Sequence, residues 1–167
     1  SIKRYTSLEG DTLGEESLNI NNFKGRVLEE NLTPPVHLVL FGAGHVGKAL
    51  FHLARLQDID ITVIDSRDEI LKQEDFPNAE LIKVDYSNLN VYNPYFCIFT
   101  HGHFGDKACL EWCLKQKTEY IGMIGSKGKV KTTFEKLLKE GYTEEQLAKV
   151  HAPIGITIGG DTPQEIA

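Results

Sequence analysis

The chain has 167 residues, 41% of them hydrophobic and 25% charged, which allows one well-buried domain and excludes a wholly disordered polymer. Lysine and arginine number 18 against 24 aspartates and glutamates, and the resulting net charge of −6 argues against a nucleic-acid partner. No run approaches the ~18 consecutive apolar residues of a membrane span.

Residues 1–34 are polar and weakly patterned, with Gly10, Gly14 and Gly25 scattered through them. They read as a linker or as the remnant of a preceding domain, closed by the stiff Thr33-Pro34-Pro35 segment. From residue 35 to residue 167 the pattern is α/β. His37–Phe41 is a short apolar run of the kind a buried parallel strand requires. A Gly-rich turn follows, and then Val46, Leu50, Leu53, Ala54 and Leu56 at helical spacing. Further strands are expected at 61–64, 81–84, 95–99 and 120–124. Helices are expected at about 105–116, 129–139 and 143–149, and a last short strand with a tight turn at 150–155. Strands alternating with helices predict a parallel, doubly wound sheet in three αβα layers.

Cys97, Cys109 and Cys113 are odd in number and lack C-x-x-C spacing, which disfavours disulfides and structural zinc and favours a reducing cytoplasm. Cys109 and Cys113 stand four apart on a predicted helix and read as two small buried hydrophobes on one face. The chain begins with Ser and ends in Thr162-Pro163-Gln164-Glu165-Ile166-Ala167. That ending carries a capping box with Pro at the first helical position, so a helix is announced and a fragment truncated at its last helix is expected.

Gly42-Ala43-Gly44-His45-Val46-Gly47 is G-x-G-x-x-G between a strand and a helix, the context in which the pattern has a mechanism. The first glycine allows the tight turn, the second the approach of a pyrophosphate, and the third close helix–strand packing. The helix N-terminus then favours phosphate. Asp65, at the end of the next strand, is placed to accept from a ribose hydroxyl, and Arg67 is the alternative contact, to a phosphate. The competing reading is a turn kept for packing, with Asp65 as a helix cap.

Beyond the fourth of these strands lies Thr100-His101-Gly102-His103-Phe104-Gly105-Asp106. On an extended segment His101 and His103 point the same way. They are candidates for ligand contact, proton movement or metal binding, although no third metal ligand is assured and no metal site is assigned. Asp106 is a candidate helix cap. After the fifth comes Gly125-Ser126-Lys127-Gly128-Lys129, where cations gather at a helix start, the unfavourable end, and a bound anion relieves them. A solvated basic face is the alternative. Gly159-Gly160-Asp161 is a further candidate loop near the crevice, and His151 reads as structural.

Leu40 to Gly47, Thr100-His101, Tyr120 to Lys127, His151 to Gly155 and the closing Thr162 to Ala167 together resemble the carboxyl-terminal Rossmann domain of the XdhC/CoxI family of xanthine dehydrogenase accessory proteins. The resemblance spans about residues 35–167. It implies a bacterial, non-catalytic chaperone that binds the molybdenum cofactor, as molybdopterin or its dinucleotide, while its terminal sulfur is installed. It further implies a molybdenum hydroxylase client and a cofactor sulfurtransferase, and it allows a homodimer. On this reading Gly42, Gly44, His45, Val46, Gly47, Gly125, Ser126, Lys127 and Lys129 hold phosphate, Asp65 or Arg67 meets the ribose or a second phosphate, and Thr100, His101 and His103 line the crevice. The alternatives are an NAD(P)-dependent oxidoreductase with His101 or His103 as proton donor, and a nucleotide sensor using the same crevice.

Overall fold

The computed structural model describes residues 2–32, 35–156, 159–160 and 162–167, with the backbone but not the side chains of His103 and Phe104. Two compact units divide the chain, 1–35 and 36–167.

The first unit is a three-stranded antiparallel sheet, so the linker alternative for residues 1–34 is corrected. Strand β1 (Ile2–Ser7) lies between β2 (Glu16–Ser17) and β3 (Val27–Leu32). Arg4 stands directly opposite Glu30 and reaches it through Nε and Nη2 at 3.1 and 2.9 Å, while Nη1 meets Glu16 at 3.2 Å. Opposite charges across an antiparallel pair favour this register. The apolar residues do not signal it, because Ile2, Leu28 and Leu32 are exposed.

The second unit is a six-stranded parallel sheet. Its strands are β4 (His37–Phe41), β5 (Asp60–Asp65), β6 (Glu80–Lys83), β7 (Tyr95–Ile98), β8 (Tyr120–Met123) and β9 (Val150–His151). Helix α1 (His45–Arg55) joins β4 to β5, α2 (His103–Leu114) joins β7 to β8, and α3 (Lys127–Lys139) with the short α4 (Glu144–Leu147) joins β8 to β9. The spatial order is β6-β5-β4-β7-β8-β9. The chain winds outward from β4 in one direction, returns, and winds outward in the other. The order therefore reverses between β4 and β7, and it is in the crevice at such a reversal that this architecture binds ligands.

Side-chain alternation builds a core on each face. Val39, Phe41, Phe96, Ile98, Ile121 and Met123 pack on α2 and α3 through Cys109, Leu110, Cys113, Val130 and Leu137. Leu38, Leu40, Ile61, Val63, Cys97 and Phe99 pack on the opposite face with Phe51 and Ala54 of α1. These are the three layers of a Rossmann-like α/β domain. Both cysteines of α2 are fully buried on one face. The capping box forms at Thr162, which accepts from the Glu165 N–H at 3.3 Å while Glu165 accepts from the Thr162 N–H at 3.0 Å, opening α5 (Pro163–Ile166).

Candidate functional site

The Gly-rich turn divides its glycines between packing and opening. Gly42 has φ +113°, and a Cβ there would stand 2.1 Å from the Phe99 carbonyl oxygen, so the backbone just after β7 leaves room only for glycine. A Cβ on Gly47 would stand 2.1 Å from the Gly42 oxygen, so α1 sits directly on the turn. A Cβ on Gly44 would meet nothing within 4 Å. Gly44 is the residue before α1 and gives that helix no side-chain cap. The first N–H groups of α1 are therefore left for solvent or a ligand. His45 is exposed and Val46 half-buried on the α1 core. A shallow hollow of about 160 Å³ lies on this turn, lined in part by Gly44, His45 and Lys48.

Asp65 does not face that hollow as a free acid. It is fully buried. Its Oδ2 accepts from the Ala43 N–H at 2.8 Å and Arg67 Nη2 at 2.9 Å, and its Oδ1 from the Arg67 N–H at 2.9 Å and Arg67 Nε at 3.0 Å. Burial acts to raise the Asp65 pKa, but the Arg67 side chain and the two backbone N–H groups outweigh it and hold the carboxyl below its ordinary value. With four donors already on it, Asp65 has no acceptor site left for a ribose hydroxyl. Its place in the site is to fix the turn through Ala43 and to fix Arg67. Arg67 remains one-third exposed.

Across the reversal point, Thr100 is buried and its hydroxyl donates to Asp106 Oδ1 at 2.5 Å. Asp106 is fully buried, and its Oδ2 pairs with Lys129 Nζ. Asp106 is thus an anchor between the starts of α2 and α3 rather than a helix cap. Lys129 is committed to it and only 20% exposed, so it is not a free cation at the helix start. Gly102, φ +89°, precedes α2 and caps it with no side chain. His101 is exposed at the bend before it. His103 opens the helix instead of continuing an extended segment, so the two histidines are not strand neighbours, and the His103 side chain lies outside the described residues. Among the described residues no three His, Cys, Asp or Glu side chains gather as a metal cage.

At the end of β8, Ser126 caps α3 by accepting from the Lys129 N–H at 3.3 Å. Lys127 and Gly128 are exposed in the first turn. Gly125 and Ser126 line a cavity of about 630 Å³ together with Ile124, Ile154, Ile156 and Ile166. Gly159 and Gly160 also border it, and Asp161 lies outside the described residues. Arg67 is tied to the turn through Asp65 and Ala43, and the Thr100 nitrogen stands 3.0 Å from where a Gly42 Cβ would be, with exposed His101 next in the chain, while Gly125 and Ser126 stand at the cavity two strands from β4.

Sequence reasoning misses Ala43 as the amide that Asp65 holds, Asp106 as the partner of Lys129, and Tyr86. Tyr86 is buried edge-on to Phe41 with ring centroids 6.4 Å apart, and a Cβ on Gly105 would meet its ring at 3.1 Å. Only three-dimensional neighbours reveal these roles. The isoleucines of the cavity carry no signal in the sequence beyond being apolar.

Residues 38–167 match the family model described as the XdhC Rossmann domain. The chain is 35% identical over 136 residues to the uncharacterized protein YqeB of Escherichia coli K12, covering 78% of this chain and 25% of that protein. It is 26% identical over 144 residues to a probable xanthine dehydrogenase subunit of Bacillus subtilis 168, covering 83% of this chain and 42% of that protein. It thus spans less than half the length of either curated relative. A solved structure of a xanthine dehydrogenase from Bacillus halodurans superposes with a TM-score of 0.76 at 21% identity, over 98% of this chain and 58% of that one, which supports the fold. No helix among the described residues is long and apolar enough to cross a membrane. With the strand order, the three-glycine turn and the matched span in agreement, the chain belongs to the XdhC Rossmann-domain family.

Proposed function

We propose that this chain is the ligand-holding Rossmann module of a xanthine dehydrogenase accessory protein. In this role it binds the molybdenum cofactor, as molybdopterin or its dinucleotide, for transfer to a molybdenum hydroxylase. The observation that carries the reading is Gly44: open space where a side chain would stand, at the uncapped start of an 11-residue helix. That geometry suits a phosphate or pyrophosphate, which such cofactors carry. On this reading the N–H groups at the start of α1 hold it, and Arg67, tied to the turn through Asp65 and Ala43, is the side chain assigned a second contact to it. When bound, the cofactor supplies the metal centre at which a hydroxylase works. This chain supplies binding and shielding.

The engaged state of Asp65 weighs against an NAD-dependent oxidoreductase, whose acid at this position reads the ribose hydroxyls. The sulfurtransferase partner, a homodimer and a cytoplasmic setting belong to the same proposal.

The test is calorimetric titration with the molybdenum cofactor, NAD and NADP side by side. Gly44→Asp is the discriminating variant. Aspartate is a good helix cap, so the fold stands. Its carboxylate occupies the anion's place, and affinity falls roughly tenfold or more, about 1.4 kcal/mol or greater. Unchanged affinity rejects the site. NAD(P) binding without cofactor binding transfers the function to an oxidoreductase or a sensor.

A further inference from the structure

A cavity among the described residues lies away from the Gly-rich turn. It holds about 630 Å³ and opens beyond the carboxyl ends of β8 and β9. That volume lies within the ~300–1,000 Å³ typical of small-molecule sites. Its walls are Ile124, Ile154 and Ile166, with the largely exposed Ile156 at its mouth, drawn from three separate segments of the chain. Its polar content lies at the edge. Gly155 and Gly159 border it with open backbone, since a Cβ on Gly155 would meet nothing nearer than the Ile166 carbonyl oxygen at 3.9 Å and one on Gly159 nothing within 4 Å, while Gly125 sits under the Lys129 side chain. Ser126 accepts from the Lys129 N–H, which leaves its hydroxyl proton for an outside acceptor. The Glu165 carboxylate is engaged in the cap of α5.

We infer that this cavity receives a planar heteroaromatic ring, the ring-bearing end of a ligand whose anionic part rests at Gly44. Apolar side chains on the walls match the faces of such a ring, and backbone amides with one hydroxyl at the rim match its donor and acceptor edge. An aliphatic chain would have no use for that rim. The two places share one edge of the sheet. From β4 the cavity is two to three strand spacings away, about 10 to 14 Å at ~4.8 Å each. The uncapped start of α2 lies between them. A ring joined through a sugar-like linker to a pyrophosphate spans that path. The inference rests on the cofactor-binding reading and deepens it by giving the second half of the ligand its own place.

The experiment titrates the full chain with pterin-6-carboxylate and, separately, with ADP, and follows backbone amide shifts. Pterin-6-carboxylate is expected to move Gly125, Ser126 and Gly155 and to leave Gly44 still. ADP is expected to move Gly44 and His45. Ile156→Trp fills the cavity mouth, and since Ile156 is 83% exposed the core is not touched. In that variant pterin affinity falls tenfold or more while the ADP shifts and the unfolding midpoint stay as in the parent. Absence of pterin shifts at the cavity, or pterin affinity indifferent to Ile156→Trp, overturns the inference. Loss of both ligands together in the variant also overturns it, because the two half-sites would not be separable. Failure of ADP alone to move Gly44 overturns the placement of the anion, and with it the proposed function, while pterin shifts at the cavity still uphold the ring site.

Discussion

Asp65 shows how a residue of the right type at the right place acquires a different task. Its carboxylate is filled from within, by Ala43 and Arg67. Replacing it with asparagine removes the charge that Arg67 faces, and breaking a buried pair costs about 3 kcal/mol. For a chain of this size that lowers the unfolding midpoint by roughly 6 to 12 °C. The pH dependence has a definite sign. Because the folded-state pKa is depressed, the stabilisation is complete above the ordinary carboxylate range and fades as pH falls through the folded value. The gap between parent and Asp65→Asn is therefore wide at pH 7 and narrows below about pH 4. A gap of constant width across that range refutes the assignment. The sequence places an acid at the end of β5 but is silent on what its oxygens touch, since that depends on the bend of the turn 22 residues earlier.

Among the elements, the strand–turn–helix unit is the most legible, because each of its constraints is local. A strand covered on both faces is an unbroken apolar run, and Leu38–Phe41 within β4 is one. The glycines differ in a way the pattern alone does not tell. In most helices Gly→Ala gains up to ~1 kcal/mol. Gly47→Ala instead costs roughly 1 to 3 kcal/mol, because its methyl meets the Gly42 oxygen. Gly44→Ala leaves stability within about 0.5 kcal/mol and acts on ligand affinity instead. Thermal melts of the two variants separate packing from opening, and equal destabilisation contradicts the division. Helix α3 is less legible. Its lysines suggest an anion site, but Lys129 finds its counter-charge in Asp106, on another helix. Helix α2 begins two residues earlier than its apolar spacing indicates, since Gly102 supplies the turn.

For the molecule as a whole, the parallel, doubly wound sheet follows from the alternation of strands and helices, its strand order is set by the structure, and the first unit leaves little trace in the sequence. Its strands expose apolar residues, and its register is carried by cross-strand charge pairs such as Arg4 with Glu30, which periodicity does not detect. The reading of the cysteines as small hydrophobes has a chemical consequence. Burial pushes the Cys97 thiol up to about 12, and burial raises Cys109 and Cys113 as well. Native protein at pH 8 is therefore expected to resist alkylation at all three sites over times in which the unfolded chain reacts fully, as mass spectrometry would count. Rapid labelling of any one would show that its helix or strand opens readily.

The hold of Asp65 on Ala43 bears finally on how a ligand is met. With its shape set by an internal carboxylate and by the contacts of Gly42 and Gly47, the turn is finished before anything binds. Recognition there orders little new backbone, so association loses little chain entropy and resembles lock and key more than induced fit. The encounter is then governed by diffusion and by stripping water from the anion, with no slow closing step at the turn.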